Sequence, residues 1–148
     1  MSCRHPNTLI NGGTMTWFCC GPAWGPCGSA GGGACGTCKS RYRHCAWPNA
    51  SDACRDITRP GVCGKQLPRR GCDRRLIVSN KCNWKCTTVR IKDCGPRTKD
   101  FCGQACCNGR CGQARIIDLT PAAFSAIASL SNGVRPVRVD SFHTHTTA

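Results

Sequence analysis

"TTVRIKDCGPR" (residues 87–97) and "ARIIDLTPAAFSAIASLSNGVRPVRV" (residues 114–139) carry most of the structural information in this chain. In the first, Val89 and Ile91 alternate with Arg90 and Lys92, the period of a strand with one apolar face. The run "LIVSN" (Leu76 to Asn80) and the turn "KCNWKC" precede it, so the two strands form a hairpin. In the second, "RIIDL" reads as a returning strand. Thr120 is then placed as an N-cap and Pro121 at the first helical position, where its missing N–H costs nothing. Phe124, Ile127 and Leu130 recur at helical spacing until Asn132-Gly133 stops the helix. "VRPVRV" closes the segment as a strand built on Val134, Val137 and Val139, with Pro136 marking an edge or a bulge. Each of the two inner strands also carries an aspartate, Asp93 and Asp118, in a stretch that otherwise favours burial.

Outside these segments, "TMTWF" (Thr14 to Phe18) reads as a first strand, with residues 1–13 as an N-terminal arm and residues 140–148 as a C-terminal tail. Residues 21–38, dominated by glycine, read as a loop that only cross-links or a partner can order. "RYRHCAW" is a candidate short strand, and the following residues to Asp73 are punctuated by Pro and Gly.

The chain has 148 residues, the size of one domain, and 17 of them are cysteine. With four Phe, four Trp, one Tyr and two Met, the apolar core is thin, and cross-links must supply much of the stability. That favours an oxidising, extracellular destination. The amino terminus shows no apolar leader, and no apolar run is long enough to span a bilayer. Three explanations compete for a cysteine-rich chain of this kind: a leader replaced by a start codon, a virion component that oxidises outside the cell, or cysteines that hold metal in a reducing cytosol. Cys35-x2-Cys38 has zinc-knuckle spacing, and Cys102, Cys106, Cys107 and Cys111 could close a four-sulfur site. Disulfides account better for cysteines scattered through every loop, so neither metal nor cofactor is expected. An odd number of cysteines leaves at least one unpaired within the chain.

Lys and Arg number 21 against seven acidic residues, a formal net charge of +14. Such a surface is either simply solvated or attracts polyanions, among them acidic wall polymers, nucleic acid or an acidic protein. Arg69, Arg70, Arg74 and Arg75 form the densest cluster. No nucleic-acid-binding signature accompanies them, so no specific nucleic-acid partner is expected.

The order of strand, glycine-rich loop, hairpin, capped helix and closing strand resembles the double-psi β-barrel superfamily, which includes rare lipoprotein A, expansins, barwin-like proteins and papain-inhibitor proteins. The matching pieces are "GGTMTWF", "GACGTC" (Gly33 to Cys38), "LPRRG", "TTVRIKDCGPR" and "ARIIDLTPAAFSAIASLSNGVRPVRV". The resemblance covers residues 14–139 and implies a mainly β fold: a six-stranded double-psi β-barrel with one short helix, long disulfide-rich loops and an open groove. It also implies that Asp93 and Asp118 face that groove, where glycan-active members use a carboxylate as a general acid or as a hydrogen-bonding partner of the sugar.

Glycosidic cleavage needs a proton donor and commonly a second carboxylate, and Asp93 and Asp118 are the one candidate catalytic pair. The wall-cleaving lipoproteins resemble one another in a histidine shortly before their "LP" turn; here Gly64 stands there. Thr16 with Asp93 and Asp118 looks more like the expansin-type set, which binds wall polymers without clear hydrolysis. A purely structural reading pairs Asp118 with Arg115 and Asp93 with Arg97. Trp24 and Trp84 are candidate sugar platforms at the surface, whereas Trp17 is expected in the core. His5, His44, His143 and His145 read as solvated residues. The expected function is a non-catalytic extracellular module for wall glycan or anionic wall polymer. A structural subunit of a phage tail or capsid surface, which would bring neighbouring subunits as partners, and a secreted protease inhibitor are the alternatives.

Overall fold

The computed structural model describes residues 7–20, 30–48, 50, 70–95, 107 and 115–142. The elements are β1 (Thr8–Trp17), β2 (Ala30–Gly33), β3 (Gly36–Lys39), β4 (His44–Trp47), β5 (Arg75–Asn80), β6 (Cys86–Cys94), β7 (Arg115–Leu119), α1 (Pro121–Ile127) and β8 (Arg135–Ser141). Six strands close into a barrel in the order β1-β7-β4-β6-β5-β8, and β2 and β3 form a separate two-stranded hairpin. Two of the barrel pairings are parallel, β1 with β7 and β4 with β6, and the remaining four are antiparallel. Closure removes the free sheet edges that would otherwise invite association.

The β5–β6 hairpin has the expected register, Leu76 opposite Val89 and Arg75 opposite Arg90. Val89, Ile91, Leu76 and Val78 are fully buried, together with Met15, Trp47, Ile117, Leu119, Val137 and Val139. Helix α1 buries Ala123, Phe124 and Ile127 against this core. Its carboxyl end is held by Asn80 and Asn83, whose Nδ2 groups both donate to the Ile127 carbonyl, at 2.8 and 3.0 Å.

Three sequence expectations need correction, and of the two alternatives left open at Pro136 one is found. Strand β1 begins at Thr8, inside the segment read as an arm, because Leu9 and Ile10 pack against the core. The alternation that should announce this is broken by Gly13, at φ 78°, where the pairing with β8 slips by a residue. Pro136 lies opposite Thr14 at that slip, and β8 is paired on both sides, so the proline marks a bulge and not an edge. The helix ends at Ile127, and Leu130–Asn132 form a separate 3-10 turn before Gly133 at φ 73°. Thr120 occupies the N-cap position, but its side chain caps nothing: Oγ1 donates to the Tyr42 carbonyl at 2.5 Å and accepts the His44 N–H at 3.1 Å.

Three disulfides join described cysteines: Cys20–Cys38, Cys35–Cys72 and Cys82–Cys107. Their sequence separations of 18, 37 and 25 residues correspond to roughly 3–4 kcal/mol each in the chain-entropy treatment, enough to offset a thin core. Cys19, Cys86 and Cys94 are disulfide-bonded as well. Cys35 and Cys38 enter separate disulfides, so the zinc-knuckle spacing is coincidental. Of the second candidate cluster, Cys107 is bonded to Cys82, and Cys102, Cys106 and Cys111 lie outside the described residues. Among the described residues no group of His, Cys and Asp could hold a metal ion. The free thiol among them is Cys45, fully buried on β4. Burial pushes it far above the ordinary thiol range, with the Asp118 charge adding to the shift. Disulfides of this density belong to an oxidising, extracellular setting. Among the described residues no helix is long and apolar enough to cross a membrane.

Candidate functional site

The barrel's register brings the two aspartates together. Thr16 on β1 is the partner of Asp118 on β7, Asp118 is the partner of Ala46 on β4, and Ala46 is the partner of Asp93 on β6. Directly paired residues share a face of a sheet, so Thr16, Asp118, Ala46 and Asp93 form one row across four strands. Two strand spacings separate the aspartate Cα atoms, about 10 Å, and between them stands only the methyl group of Ala46. The adjacent row, Trp17, Leu119, Cys45 and Ile91, belongs to the core.

Asp93 reaches this row through a bulge. Strict alternation from Val89 and Ile91 would turn Asp93 inward, but Cys45 pairs with Ile91 and Ala46 with Asp93, leaving Lys92 as an extra residue on β6. The extra residue flips the strand, so Asp93 shares a face with Asp118. Both carboxylates are partly buried there, the Asp118 side chain 14% exposed.

The Asp118 carboxylate accepts hydrogen bonds from two sides. Thr16 Oγ1 donates to Oδ1, and Arg115 Nη2 approaches Oδ2 at 3.2 Å and Oδ1 at 3.4 Å. The pairing with Arg115 that the structural reading expected is thus present. Asp93 Oδ1 accepts the backbone N–H groups of Ala34, at 3.0 Å, and of Cys94, at 2.8 Å. Arg97, its expected partner, lies outside the described residues.

Ala34 belongs to the tip of the β2–β3 hairpin, a segment that read as loop because glycine gives no alternation to follow. The hairpin pairs Gly33 with Gly36, with Gly36 at φ 107°, and docks on β6. Cys35 N–H donates to the Lys92 carbonyl at 3.0 Å, and a β-carbon on Gly33 would sit 2.3 Å from that oxygen. Gly33 is needed for this close approach. The Cys35–Cys72 disulfide then fixes the tip to the turn before β5.

His44 is not the solvated residue the sequence suggested. It lies on β4, buried, two residues from Ala46 and on the same face. Its Nδ1 accepts the Lys39 N–H at 3.1 Å, which assigns the imidazole proton to Nε2. Burial lowers its pKa first, and the charges of Lys92, Arg90 and Lys39 lower it further against a smaller opposing effect of Asp73. Asp73, at φ 67°, is hydrogen-bonded by the Lys92 ammonium, which holds its carboxyl below the usual range.

Of the expected aromatic platforms, Trp24 lies outside the described residues. Trp84 is 48% exposed on the β5–β6 turn, at the end of β6 opposite Asp93 and roughly 20 Å away along the strand. Trp17 is half-buried and donates from Nε1 to the Leu130 carbonyl at 3.0 Å. Tyr42, not singled out from the sequence, is 56% exposed beside β4. In the arginine cluster Arg69 is outside the described residues, Arg70 is half-buried, and Arg74 and Arg75 are exposed.

Residues 12–139 match the family described as lytic transglycolase, a double-psi β-barrel family. Among solved structures, a Streptomyces papain inhibitor superposes with a TM-score of 0.51 and 21% identity, over 90% of this chain and 94% of that one. An expansin of Clavibacter michiganensis superposes with a TM-score of 0.50 and 16% identity, over 93% of this chain and 52% of that one, so this chain spans about half the expansin's length. At these identities the likeness establishes the fold. No curated protein matches the chain in sequence.

Proposed function

This chain belongs to the lytic transglycolase family of double-psi β-barrels, and from that premise we propose that it is an extracellular module that binds wall polysaccharide without cleaving it. The observation that carries the reading is the row Thr16, Asp118, Ala46 and Asp93. Two carboxylates and a hydroxyl across a small-residue floor suit hydrogen bonding to successive sugar hydroxyls, because carboxylates are strong acceptors and every sugar hydroxyl is a donor.

Binding fits the row better than hydrolysis does. A general acid must present a proton to the glycosidic oxygen. Asp118 Oδ2 faces the guanidinium of Arg115, which can only donate, so a proton on that oxygen would meet a donor. The place of the lipoproteins' histidine is taken by Gly64.

The test is retention on purified, insoluble wall polysaccharide, peptidoglycan first. The protein should bind at moderate salt, release no soluble fragments, and lose most of its retention when Asp118 is replaced by Ala. Unchanged retention of Asp118→Ala would remove the row from the account, and release of reducing or anhydro ends would make the protein an enzyme.

A further inference from the structure

The outer face of the sheet carries a second row, beside the first. Arg75 on β5 stands directly opposite Arg90 on β6, and Arg90 is in turn the partner of His44 on β4. Like charges placed directly opposite one another destabilise a sheet, and here both are exposed. Among the described residues neither arginine is ion-paired with a carboxylate, although Arg90 lies within the field of Asp73. Arg90 Nη1 donates to the Asp73 carbonyl at 3.0 Å, the Asp73 carboxylate is taken by Lys92, and Arg75 lies 4.7 Å over the Phe142 ring. At the His44 end the row continues into Tyr42, whose ring centroid is 5.6 Å from that of His44 and which carries the Lys39 ammonium at 4.8 Å. The Tyr42 backbone is fixed, its carbonyl accepting from Thr120 Oγ1 and from His44 N–H. The row is tied to the groove because His44 and Ala46 share a face of β4, about 7 Å apart.

From this juxtaposition we infer that the polysaccharide is an acidic one, its carboxylate or phosphate substituents received by Arg75 and Arg90 while Tyr42 stacks on a neighbouring sugar ring. The inference rests on the groove reading above and adds the ligand's charge to it. A pair of guanidinium groups set directly opposite one another becomes more favourable once an anion lies between them, because each can bond it in a forked geometry. Continuity with the row of Thr16 and the aspartates favours a glycan over a nucleic acid: a chain running in the groove would pass its substituents over the arginines one strand spacing apart.

The experiment uses the full, disulfide-intact chain and two forms of one polymer, polygalacturonate and its fully methyl-esterified, uncharged form. Affinity electrophoresis at about 0.15 M salt should show the charged form bound about tenfold more tightly. In a doubly substituted Arg75→Gln, Arg90→Gln protein that preference should vanish while binding of the ester is kept. Its melting temperature should stay close to that of the parent, because the relief of like-charge opposition offsets the lost bond to the Asp73 carbonyl and the lost contact with Phe142. Tyr42→Ala should weaken both forms alike, about fivefold, and Tyr42→Phe should restore them. Equal binding of the two forms by the parent, or a preference that survives the double substitution, overturns the inference. So does equally tight binding of duplex DNA, which would make the row a general polyanion surface. If the ester binds through Asp118 but charge adds nothing, the inference alone fails; if neither polymer is retained, the groove reading fails with it.

Discussion

Replacing Gly33 with Ala probes how the β2–β3 hairpin is held against β6 beside Asp93. The added β-carbon would lie 2.3 Å from the Lys92 carbonyl oxygen and 3.3 Å from Cβ and Cγ of Asp93. The first contact is with backbone, so relief requires the hairpin tip to retreat by about 1 Å to ordinary van der Waals distance. A retreat of that size stretches the Cys35 N–H bond to Lys92 O and the Ala34 N–H bond to Asp93 Oδ1, each 3.0 Å now, beyond hydrogen-bonding range. At about 1 kcal/mol for each bond, the loss is roughly 2 kcal/mol. For a domain of this size that lowers the melting temperature by roughly 5–8 °C. The Cys35–Cys72 disulfide keeps the tip from swinging away, so the effect is local, and glycan affinity falls with it as Asp93 loses a fixed donor. Gly32→Ala is the control, since nothing lies within 4 Å of its added carbon, and it should be neutral or slightly stabilising. Calorimetry on the two variants decides the matter. If Gly33→Ala melts with Gly32→Ala and binds as the parent does, the hairpin is not docked on β6 as described.

Thr16→Val removes the hydroxyl that donates to Asp118 without changing side-chain volume, and should weaken glycan binding roughly fivefold with a small stability change, measured by affinity electrophoresis and thermal melting. Cys45 should resist iodoacetamide in the native protein at pH 8 and react once the chain is unfolded without reduction; native labelling would contradict its burial. Because the folded-state pKa of His44 is lowered, the unfolded chain takes up a proton near pH 6.5 that the folded chain refuses. Stability should therefore be fully present above that pH and decline on acidification toward the lower folded value. The slope should flatten in His44→Gln, which denaturant titration at several pH values would reveal. A protease inhibitor built on this fold would instead inhibit papain-like or subtilisin-like enzymes at stoichiometric ratios, and no such inhibition is expected here.

The parts of this fold that were legible in the sequence are those with an unbroken period. Val89 and Ile91 announced β6, Leu76 to Asn80 announced β5, and Thr120-Pro121 with Phe124 and Ile127 announced the helix. Irregularities hid the rest. The bulge at Lys92 is invisible to alternation, yet it is what brings Asp93 to the face of Asp118; the resemblance, not the period, supplied that placement. Glycine hid the β2–β3 hairpin, since its order comes from Gly36 at positive φ, from close approach at Gly33 and from two disulfides. His44 looked solvated because it was placed in a loop, whereas its burial comes from strand pairing on β4 and from the Lys39 N–H across the tight turn before it. Trp84 drew attention by residue type, but Tyr42 is the exposed ring that the topology brings near the row.

The most direct test is an amide-resolved NMR titration of the labelled protein with a soluble oligosaccharide of the bound polymer. Shifts should concentrate at Thr16, Ala46, Asp93 and Asp118, in one contiguous band across β1, β7, β4 and β6, and leave the Trp84 turn silent. A band centred on the Trp84 turn, or shifts that single out one aspartate while the other stays still, would contradict a shared binding row.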